Sequence, residues 1–308
     1  MRGVGFVYDK AMLRHEPPPW HPERSARLLR IIDTLKNTGL WDRLVHIAPG
    51  KAGFDDIALV HTAGYIHKIR TFGEGSLDPD TYTSMDSLEA ARYATGSVME
   101  AVRMCHSGSI NSAFCAVRPP GHHAEADCAM GFCLFNNVAV GARFAQKMGY
   151  KKVFIVDFDA HHGNGTQHIF EEDETVFYFS THQYPYYPET GRDLERGKGK
   201  GTGYTYNVQI LSGSGNKDYL SVYQDILPGL VRRFSPSIMI VSAGYDIHVD
   251  DPHANIRVTG EGIRGMVRSI LDSSDCPAVF VLEGGYDLES LGESVRVTIE
   301  EMLKTCSY

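Results

Sequence analysis

The chain has 308 residues, a length that allows one large α/β domain or two small ones. Hydrophobic residues make up 43% of it and charged residues 22%, an ordinary globular balance that can build a sizeable core. The net charge of −8 argues against a protein that binds nucleic acid through its phosphates, because such proteins usually present a basic face. This charge is compatible with a cationic or amine-bearing substrate.

Cysteine content and hydropathy indicate where the protein acts. The six cysteines are few for this length and form no CxxC pair, so we expect reduced thiols in a cytoplasmic protein. The stretch Met1–Lys10 has no apolar run of signal-peptide length, and no segment approaches the ~18 apolar residues that cross a membrane. We therefore expect no membrane partner, whereas the oligomeric state stays open.

Short apolar runs alternate with longer amphipathic segments along the chain. Runs rich in Val, Ile and Phe predict parallel strands covered on both faces: Gly3–Val7, Ser112–Ala116, Lys152–Phe158, Thr175–Ser180, Ile238–Ala243 and Ala278–Glu283. Helical spacing of apolar residues predicts helices over Pro22–Thr38, Ser87–Cys105, Asn137–Met148, Tyr219–Phe234, Thr259–Leu271 and Glu289–Lys304. This alternation predicts an α/β fold with a mainly parallel central sheet flanked by helices.

Polar, ionisable clusters follow several of the predicted strands. They are Arg118–His123, Asp157–Gln167, Gly244–His248 and Glu283–Asp287. Ligands of open α/β sheets bind outside the carboxyl ends of the strands. We therefore expect an active site at that edge of the sheet.

The cluster after the third predicted strand has the donor types of a metal site. Asp157, Asp159 and His161 alternate, and in an extended chain a period of two puts their side chains on one face. Carboxylate and imidazole groups at this spacing can chelate one ion. The alternative is an acidic strand end beside a turn at Gly163-Asn164-Gly165, but buried aspartates there would be costly unless compensated.

Asp246 is the best candidate for a third ligand. An aspartate after a strand is by itself more often a helix cap or turn residue. Asp246, however, follows Ile238–Ala243 beside an incomplete metal site. Together Asp159, His161 and Asp246 leave an open coordination position, as catalytic metal sites do. We expect Zn²⁺, with Fe²⁺ as the alternative because the donor set suits both.

A pair of adjacent histidines can carry acid–base chemistry. His122 and His123 are adjacent imidazoles on a loop whose backbone is restrained by Pro119, Pro120 and Gly121. Such a pair can take a proton from water and give one to a leaving amine.

The tyrosine of Gly284-Gly285-Tyr286 can donate a hydrogen bond to a developing oxyanion. Gly-Gly-Tyr is also a common turn, so this motif alone is a weak signal.

Taken together, the motifs resemble those of the zinc-dependent histone deacetylase family, which includes bacterial acetylpolyamine and acetoin-utilisation relatives. The residues that carry the resemblance run in order over nearly the whole chain: His21–Arg24, Arg118–His123, Gly131–Cys133, Asp157–Gln167, Gly244–Asp246 and Gly284–Tyr286. The resemblance implies an arginase-like fold in which residues 1–308 form a single catalytic domain. It also implies hydrolysis of acetyl-amide bonds on lysine side chains or polyamines.

The resemblance implies a role for each catalytic residue. His123 is the general base and acid, with His122 as its electrostatic partner, and Tyr286 polarises the acetyl carbonyl. Asp157 lies behind His122, and Asn164 lies behind His123. Asn164 stands where many members have Asp and is similar to the class II branch. A neutral partner should leave His123 less basic than a carboxylate would.

The same resemblance assigns Asp159, His161 and Asp246 to one zinc ion. The related arginases and agmatinases hold two manganese ions with additional aspartates, two residues after the His and two after the later Asp. Those positions are Gly163 and His248 here. One metal and amide chemistry are therefore favoured over guanidine hydrolysis.

Potassium sites are implied as well, with the ion in a structural role. The site next to the zinc would use Asp157, Asp159, His161, Ser180 and Thr181. A more peripheral site would use Phe170, Asp173, Val176 and Tyr204.

A narrow channel for an alkyl stem is the last implied feature. Phe132, in Gly131-Phe132, and Tyr187 would form its walls. Asp78 falls near the rim aspartate that accepts hydrogen bonds from the substrate backbone, and Asp80 competes for that position.

The amine half of the substrate stays open. His253 occupies what resembles the gate position, where acetyllysine enzymes usually carry an apolar residue and a Glu favours polyamine cations. His253 matches neither, and its charge depends on pH. We expect activity on acetyllysine-like substrates, with acetylpolyamines or other small acylamines as alternatives. A catalytically weak acyl-lysine binding module is the alternative of another class, which the presence of Tyr286 argues against.

Overall fold

Ten strands are present in the computed structural model, which describes residues 3–305. They are β1 (Gly3–Val7), β2 (Val45–Ile47), β3 (Gly75–Ser76), β4 (Tyr82–Thr83), β5 (Ile110–Cys115), β6 (Val153–Asp157), β7 (Val176–Gln183), β8 (Thr205–Ile210), β9 (Ile238–Ala243) and β10 (Ala278–Leu282). β3 and β4 form an antiparallel hairpin. The other eight form one parallel sheet in the order β2-β1-β5-β10-β9-β6-β7-β8.

The helices cover both faces of this sheet. They are α1 (Ala26–Asn37), α2 (Phe54–Ile57), α3 (Ala63–Phe72), α4 (Ser87–His106), α5 (Asn137–Lys147), α6 (Asn164–Phe170), α7 (Asn216–Ser221), α8 (Leu227–Phe234), α9 (Gly260–Asp272) and α10 (Leu288–Thr305). Helices α1, α9 and α10 pack together, and α4 and α5 pack on each other and on the central strands. Every residue of β6, β9 and β10 is buried, which confirms the predicted single-domain α/β fold with a covered parallel sheet.

The strands that the apolar pattern does not predict are at the edges or outside the sheet. β2 has only three residues, and β8 mixes buried and half-buried positions, as an edge strand does. Neither has the continuous apolar run on which the prediction depends. The β3–β4 hairpin has two residues in each strand and no hydrophobic pattern to reveal it.

The helix predicted over Tyr219–Phe234 is interrupted. α7 ends at Ser221, a π-helical turn occupies Val222–Ile226, and α8 begins at Leu227. Pro228 explains the break, because its nitrogen carries no hydrogen to donate and its ring clashes with the preceding turn of a regular helix.

The structure also describes the state of the cysteines and the hydropathy of the helices. The free cysteines are Cys105, Cys115, Cys128, Cys133 and Cys276, whereas Cys306 lies outside the described residues. None of the helices between residues 3 and 305 has the length and apolar character needed to cross a bilayer. The ends of the predicted domain, at residues 1–2 and 306–308, also lie outside the described part.

The order of the strands determines where the polar clusters meet. The strands that precede them, β5, β10, β9 and β6, are consecutive neighbours in the middle of the sheet. All of these strands run parallel, so their carboxyl ends open on one edge. Clusters separated by more than one hundred residues in the chain therefore converge at one place.

Candidate active site

Asp159, His161 and Asp246 form one compact cluster. Each offers one ligand atom, and these atoms lie within 4.8 Å of one another. Nδ1 of His161 is 3.0 Å from Oδ1 of Asp159 and 3.1 Å from Oδ2 of Asp246. Within residues 3–305 this is the only group of three such residues close enough to hold an ion.

Backbone amides orient the two carboxylates. Gly284 N donates to Oδ2 of Asp159 at 2.8 Å, and Ala160 N donates to Oδ1 of Asp246 at 2.8 Å. A Cβ atom at Gly284 would lie 2.2 Å from Oδ2 of Asp246, so any larger residue there would displace the carboxylates. The glycine of the Gly284-Gly285-Tyr286 motif is therefore a packing requirement of this cluster.

The backbone of this segment differs from the extended chain that the alternating spacing predicts. β6 ends at Asp157 and the chain then bends. Oδ1 of Asp157 accepts from Asp159 N at 3.2 Å, and Oδ1 of Asp159 accepts from His161 N at 2.9 Å. Asp159 and His161 therefore meet through turns that the carboxylates themselves stabilise.

The charge balance of the cluster fits a divalent cation. The carboxylates buried around it are Asp157, Asp159, Asp246 and Glu283. Burial raises the pKa of Glu283 to about 7, and burial together with repulsion from Asp159 raises the pKa of Asp246 to about 7. Several buried carboxylates close together are costly without a compensating positive charge. Carboxylate and imidazole donors are also the ligands that zinc and ferrous iron accept.

The adjacent histidines His122 and His123 have opposite electrostatic environments, although their rings are 4.0 Å apart. His122 Nδ1 is 3.1 Å from Oδ2 of Asp157. Burial opposes protonation of His122, but Asp157 and Asp159 outweigh it and raise its pKa to about 10. Burial and the neighbouring charge of His122 hold the pKa of His123 well below its ordinary value. The geometry thus separates a cationic imidazole from a neutral one.

Asn164 determines which nitrogen of His123 is free. Its Nδ2 donates to Oε1 of Glu125 at 2.5 Å, so its Oδ1 is the atom that accepts from His123 Nδ1 at 2.7 Å. Neutral His123 therefore carries its hydrogen on Nδ1 and leaves Nε2 as a proton acceptor.

The start of α6 replaces the turn considered at Gly163-Asn164-Gly165. Gly163 precedes the first helical residue, Asn164, so the amide that bonds His123 is set by the helix. A Cβ atom at Gly163 would lie 2.2 Å from Oδ2 of Asp157. Close packing therefore leaves no room for another metal-binding side chain at this position.

Tyr286 keeps its hydroxyl hydrogen. Burial holds its pKa well above the ordinary value, although Arg27 acts in the opposite direction. The guanidinium carbon of Arg27 lies 5.0 Å from the ring centroid, and Tyr286 N donates to Oδ2 of Asp251 at 2.6 Å. Tyr286 is therefore placed as a hydrogen-bond donor.

A buried ion-pair network supports these loops from behind and was not assigned from the sequence. Arg118 donates to both carboxylate oxygens of Glu23, at 2.5 and 2.7 Å. Arg27 pairs with Glu23 at 3.2 Å and donates to the backbone oxygens of Glu283 and Gly285 at 2.5 and 2.6 Å. The spacing of four between Glu23 and Arg27 was a local signal for part of it.

A narrow cavity of about 130 Å³ opens over the cluster. Most residues predicted for catalysis and for the channel line it: His122, His123, Gly131, Phe132, His161, Tyr187, His253 and Tyr286. Rings of His123 and Tyr187 are 5.3 Å apart, and rings of Phe132 and Tyr286 are 5.9 Å apart.

Asp80, the competing candidate for the rim, lines this cavity. Asp78, the first choice, faces its own loop instead. Its Oδ1 accepts from Asp80 N at 3.0 Å and from Thr81 N at 2.6 Å. The structure therefore places Asp80, and not Asp78, at the pocket.

The predicted potassium residues lie in two groups. Asp157 and Ser180 are register partners on β6 and β7, beside Thr181 and near Asp159 and His161. Ser180 Oγ bonds His182 at 2.9 Å, and Thr181 Oγ1 bonds Tyr223 at 3.0 Å.

The second group, Phe170, Asp173, Val176 and Tyr204, lies around the start of β7 and just before β8. The Asp173 carboxylate is bonded to Arg143 and Thr175. Both cation sites stay predictions.

The chain is similar to known proteins over most of its length. The histone deacetylase domain matches residues 21–302. A probable deacetylase of Archaeoglobus fulgidus is 38% identical over 93% of this chain and 82% of its own length. Human polyamine deacetylase HDAC10 is 34% identical over 98% of this chain. The crystal structure of the HDA15 HD domain has a TM-score of 0.94 and 37% identity, covering 97% of this chain and 90% of that domain.

Fold and sequence together define the class of protein to which the chain belongs. The chain belongs to the histone deacetylase family. It spans about half the length of some of these relatives, 49% of histone deacetylase 5 of Arabidopsis thaliana and 48% of human HDAC10.

Replacing one carboxylate of the cluster should weaken metal binding. We expect wild-type protein dialysed against zinc to retain about one ion per chain. Asp246→Asn should retain much less, because one anionic ligand is lost. Asp250→Asn, at an exposed aspartate nearby, is the matched control and should bind as wild type does. Elemental analysis after dialysis measures this, and full occupancy of Asp246→Asn would remove Asp246 from the ligand set.

Proposed function

We propose that the protein is a zinc-dependent deacetylase that removes acetyl or similar acyl groups from lysine side chains or small amines. The observation that carries this proposal is the convergence on one narrow pocket of three kinds of group. These are a carboxylate–imidazole cluster, a neutral histidine with a free Nε2 and a protonated tyrosine. Family membership supports the same reaction class.

Asp159, His161 and Asp246 would hold the zinc ion, with Fe²⁺ as the alternative. A divalent ion bound there supplies Lewis acidity, which polarises the amide carbonyl and lowers the pKa of an attacking water. One ion is favoured over the two of arginases. A side chain at Gly163 would collide with its neighbours, and His248 Nδ1 accepts from the amide of Asp250 at 3.2 Å.

His123 moves the proton. Its Nε2 accepts a proton from the water as the new C–O bond forms, and it returns that proton to the leaving nitrogen as the C–N bond breaks. Asn164 holds Nδ1 and fixes the direction of Nε2. His122, paired with Asp157, supplies positive charge beside the negative charge that develops on the carbonyl oxygen.

Tyr286 donates its hydroxyl hydrogen to that developing oxyanion. Asp251 bonds its backbone amide and Arg27 lies against its ring, so the side chain has a defined position before substrate arrives. Preorganised donors of this kind need no rearrangement as charge develops.

The pocket walls suit an unbranched stem. Phe132 and Tyr187 would enclose the methylene groups, and Asp80 would accept hydrogen bonds from the substrate at the rim. Burial lowers the pKa of His253, whose ring centroid is 4.5 Å from that of Tyr286. His253 is therefore neutral at neutral pH and offers a polyamine no anionic partner, which favours acetyllysine-like substrates.

Two alternatives remain. The similarity to the polyamine deacetylase HDAC10 favours acetylpolyamine hydrolysis. A catalytically weak acyl-lysine binding module would use the same pocket without turnover. Structural potassium at the two predicted groups and a cytoplasmic location complete the proposal.

Parallel steady-state assays on an acetyl-lysine peptide and on acetylated spermidine test the substrate class. We expect a higher kcat/KM on the peptide. The reason is that the neutral His253, and not a carboxylate that would attract a polyamine cation, occupies the gate position. A preference for acetylspermidine would favour the polyamine alternative. Peptide binding without turnover of either compound, in zinc-loaded protein, would favour the binding module.

Removal of the Tyr286 hydroxyl tests the oxyanion donor. Tyr286→Phe should lower kcat by about 10²–10³-fold, because a donor to the transition state is lost while the ring packing is kept. Tyr150, whose ring packs on His106, is not among the residues that line the pocket, so Tyr150→Phe is the control and should match wild type. An unchanged kcat for Tyr286→Phe would remove this hydroxyl from the mechanism.

A carboxylate at position 164, behind His123, should shift the pH dependence of kcat/KM. His123 works as a base only when neutral, so activity falls as the pH drops through its folded-state pKa, below the ordinary value of about 6.5. Asn164→Asp places a carboxylate beside Nδ1 and raises the pKa of His123, so the acidic limb of kcat/KM should move up by about one pH unit or more. Asn37→Asp, at the exposed end of α1, should leave the limb unmoved. A limb that does not move in Asn164→Asp would mean that another group controls it.

A further inference from the structure

The tight turn at the channel wall has an unfavourable residue at its second central position. Cys133 N donates to the Met130 oxygen at 3.0 Å, which closes a turn over Met130–Cys133. Both central residues have positive φ, 57° at Gly131 and 68° at Phe132. Glycine adopts this conformation readily, but an aromatic residue does not, so the surrounding structure must hold Phe132 there.

The amides of both central residues are bonded to the loop between β3 and β4. Gly131 N donates to Oδ1 of Asp80 at 3.1 Å, and Phe132 N donates to Oγ1 of Thr81 at 3.1 Å. The Thr81 hydroxyl in turn donates to Oδ1 of Asp80 at 3.1 Å. Thr81 is buried, which shields its hydroxyl from solvent.

The hairpin keeps Thr81 in place. Leu77 N donates to the Thr81 oxygen at 2.8 Å, and Oδ1 of Asp78 accepts from Thr81 N at 2.6 Å. Thr83, two residues on, pairs with Gly75 across the hairpin. The hairpin therefore fixes the Thr81 backbone on both sides of its hydroxyl. Among the hydrogen bonds of residues 3–305, Asp80 and Thr81 are the two residues of this hairpin loop that bond the turn.

The turn sets two features of the pocket. The Phe132 ring lies 5.9 Å from the Tyr286 ring and 4.6 Å from the His21 ring, so its placement determines the width of the channel. A Cβ atom at Gly131 would lie 2.3 Å from Cδ2 of His123, so the turn also lies directly against the base.

We infer that Thr81 is a positioning residue, whose hydroxyl holds Phe132 in the left-handed conformation and so keeps the channel narrow. This inference rests on the proposed deacetylase function for its kinetic consequence. Without the hydroxyl, the Phe132 amide lacks its acceptor, and the side chain relaxes away from Tyr286.

Thr81→Val removes the hydroxyl and preserves the shape. We expect kcat/KM on an acetyl-lysine peptide to fall about tenfold, the effect of one lost hydrogen bond. A peptide whose acetylated amine has a wider, benzylic stem should lose less, so the ratio of the two substrates shifts toward the wide stem. Thr81→Ser restores the hydroxyl and should return both values to those of wild type.

Thr83→Val is the matched control. Thr83 is also a buried threonine of this hairpin, but its hydroxyl bonds the oxygens of Gly73 and Gly75, away from the channel. It should leave the substrate ratio unchanged. A uniform loss on both substrates in Thr81→Val, or no loss, would overturn the inference. Thr81→Ala serves for the same comparison if the valine variant does not fold.

Amide hydrogen exchange at Phe132 tests the clamp without turnover. The amide should exchange slowly in wild type and Thr81→Ser, and faster in Thr81→Val and Thr81→Ala. Unchanged protection would overturn the inference even in a protein that hydrolyses nothing. Failure of wild type to hydrolyse any acyl amine, with Phe132 protection lost in Thr81→Val, would contradict the proposed function and leave the clamp supported.

Discussion

Burial of several carboxylates at the centre of one sheet edge is the constraint on which the site depends. Asp159 and Asp246 lie beyond the ends of neighbouring strands, where a negative charge without partners is costly. Backbone amides from Ala160 and Gly284 orient them, and an imidazole lies between them. The remaining negative charge favours a bound cation, and close packing explains why glycine lies beside the cluster.

The same burial gives two adjacent histidines different chemistry. His122 and His123 share a loop, yet one faces a carboxylate and the other an amide. Burial lowers the pKa of both imidazoles, but nearby carboxylates raise that of His122 above its ordinary value, whereas the charge of His122 lowers that of His123 further. Replacing the amide nitrogen of Asn164 by oxygen, as in Asn164→Asp, would make His123 a stronger base and would also raise the pH at which it becomes protonated.

Supports from distant parts of the chain convert the sheet edge into a pocket. The Glu23, Arg27 and Arg118 network joins the segment before α1 to the backbone after β10. The β3–β4 hairpin reaches Gly131 and Phe132 through Asp80 and Thr81. The Glu23, Arg27 and Arg118 network is fully buried, and so is Thr81. A hydrogen bond is stronger in such surroundings than in water.

The sequence by itself determined the central strands and the residues that follow them, because apolar runs and ionisable clusters are local patterns. Motif order also indicated the family, which the comparisons confirm. Only the tertiary structure showed the edge strand β8, the break before Pro228, and Asp80 rather than Asp78 at the pocket. It also revealed the Arg27 and Thr81 contacts, since bonds between residues 51 to 258 positions apart leave no local pattern.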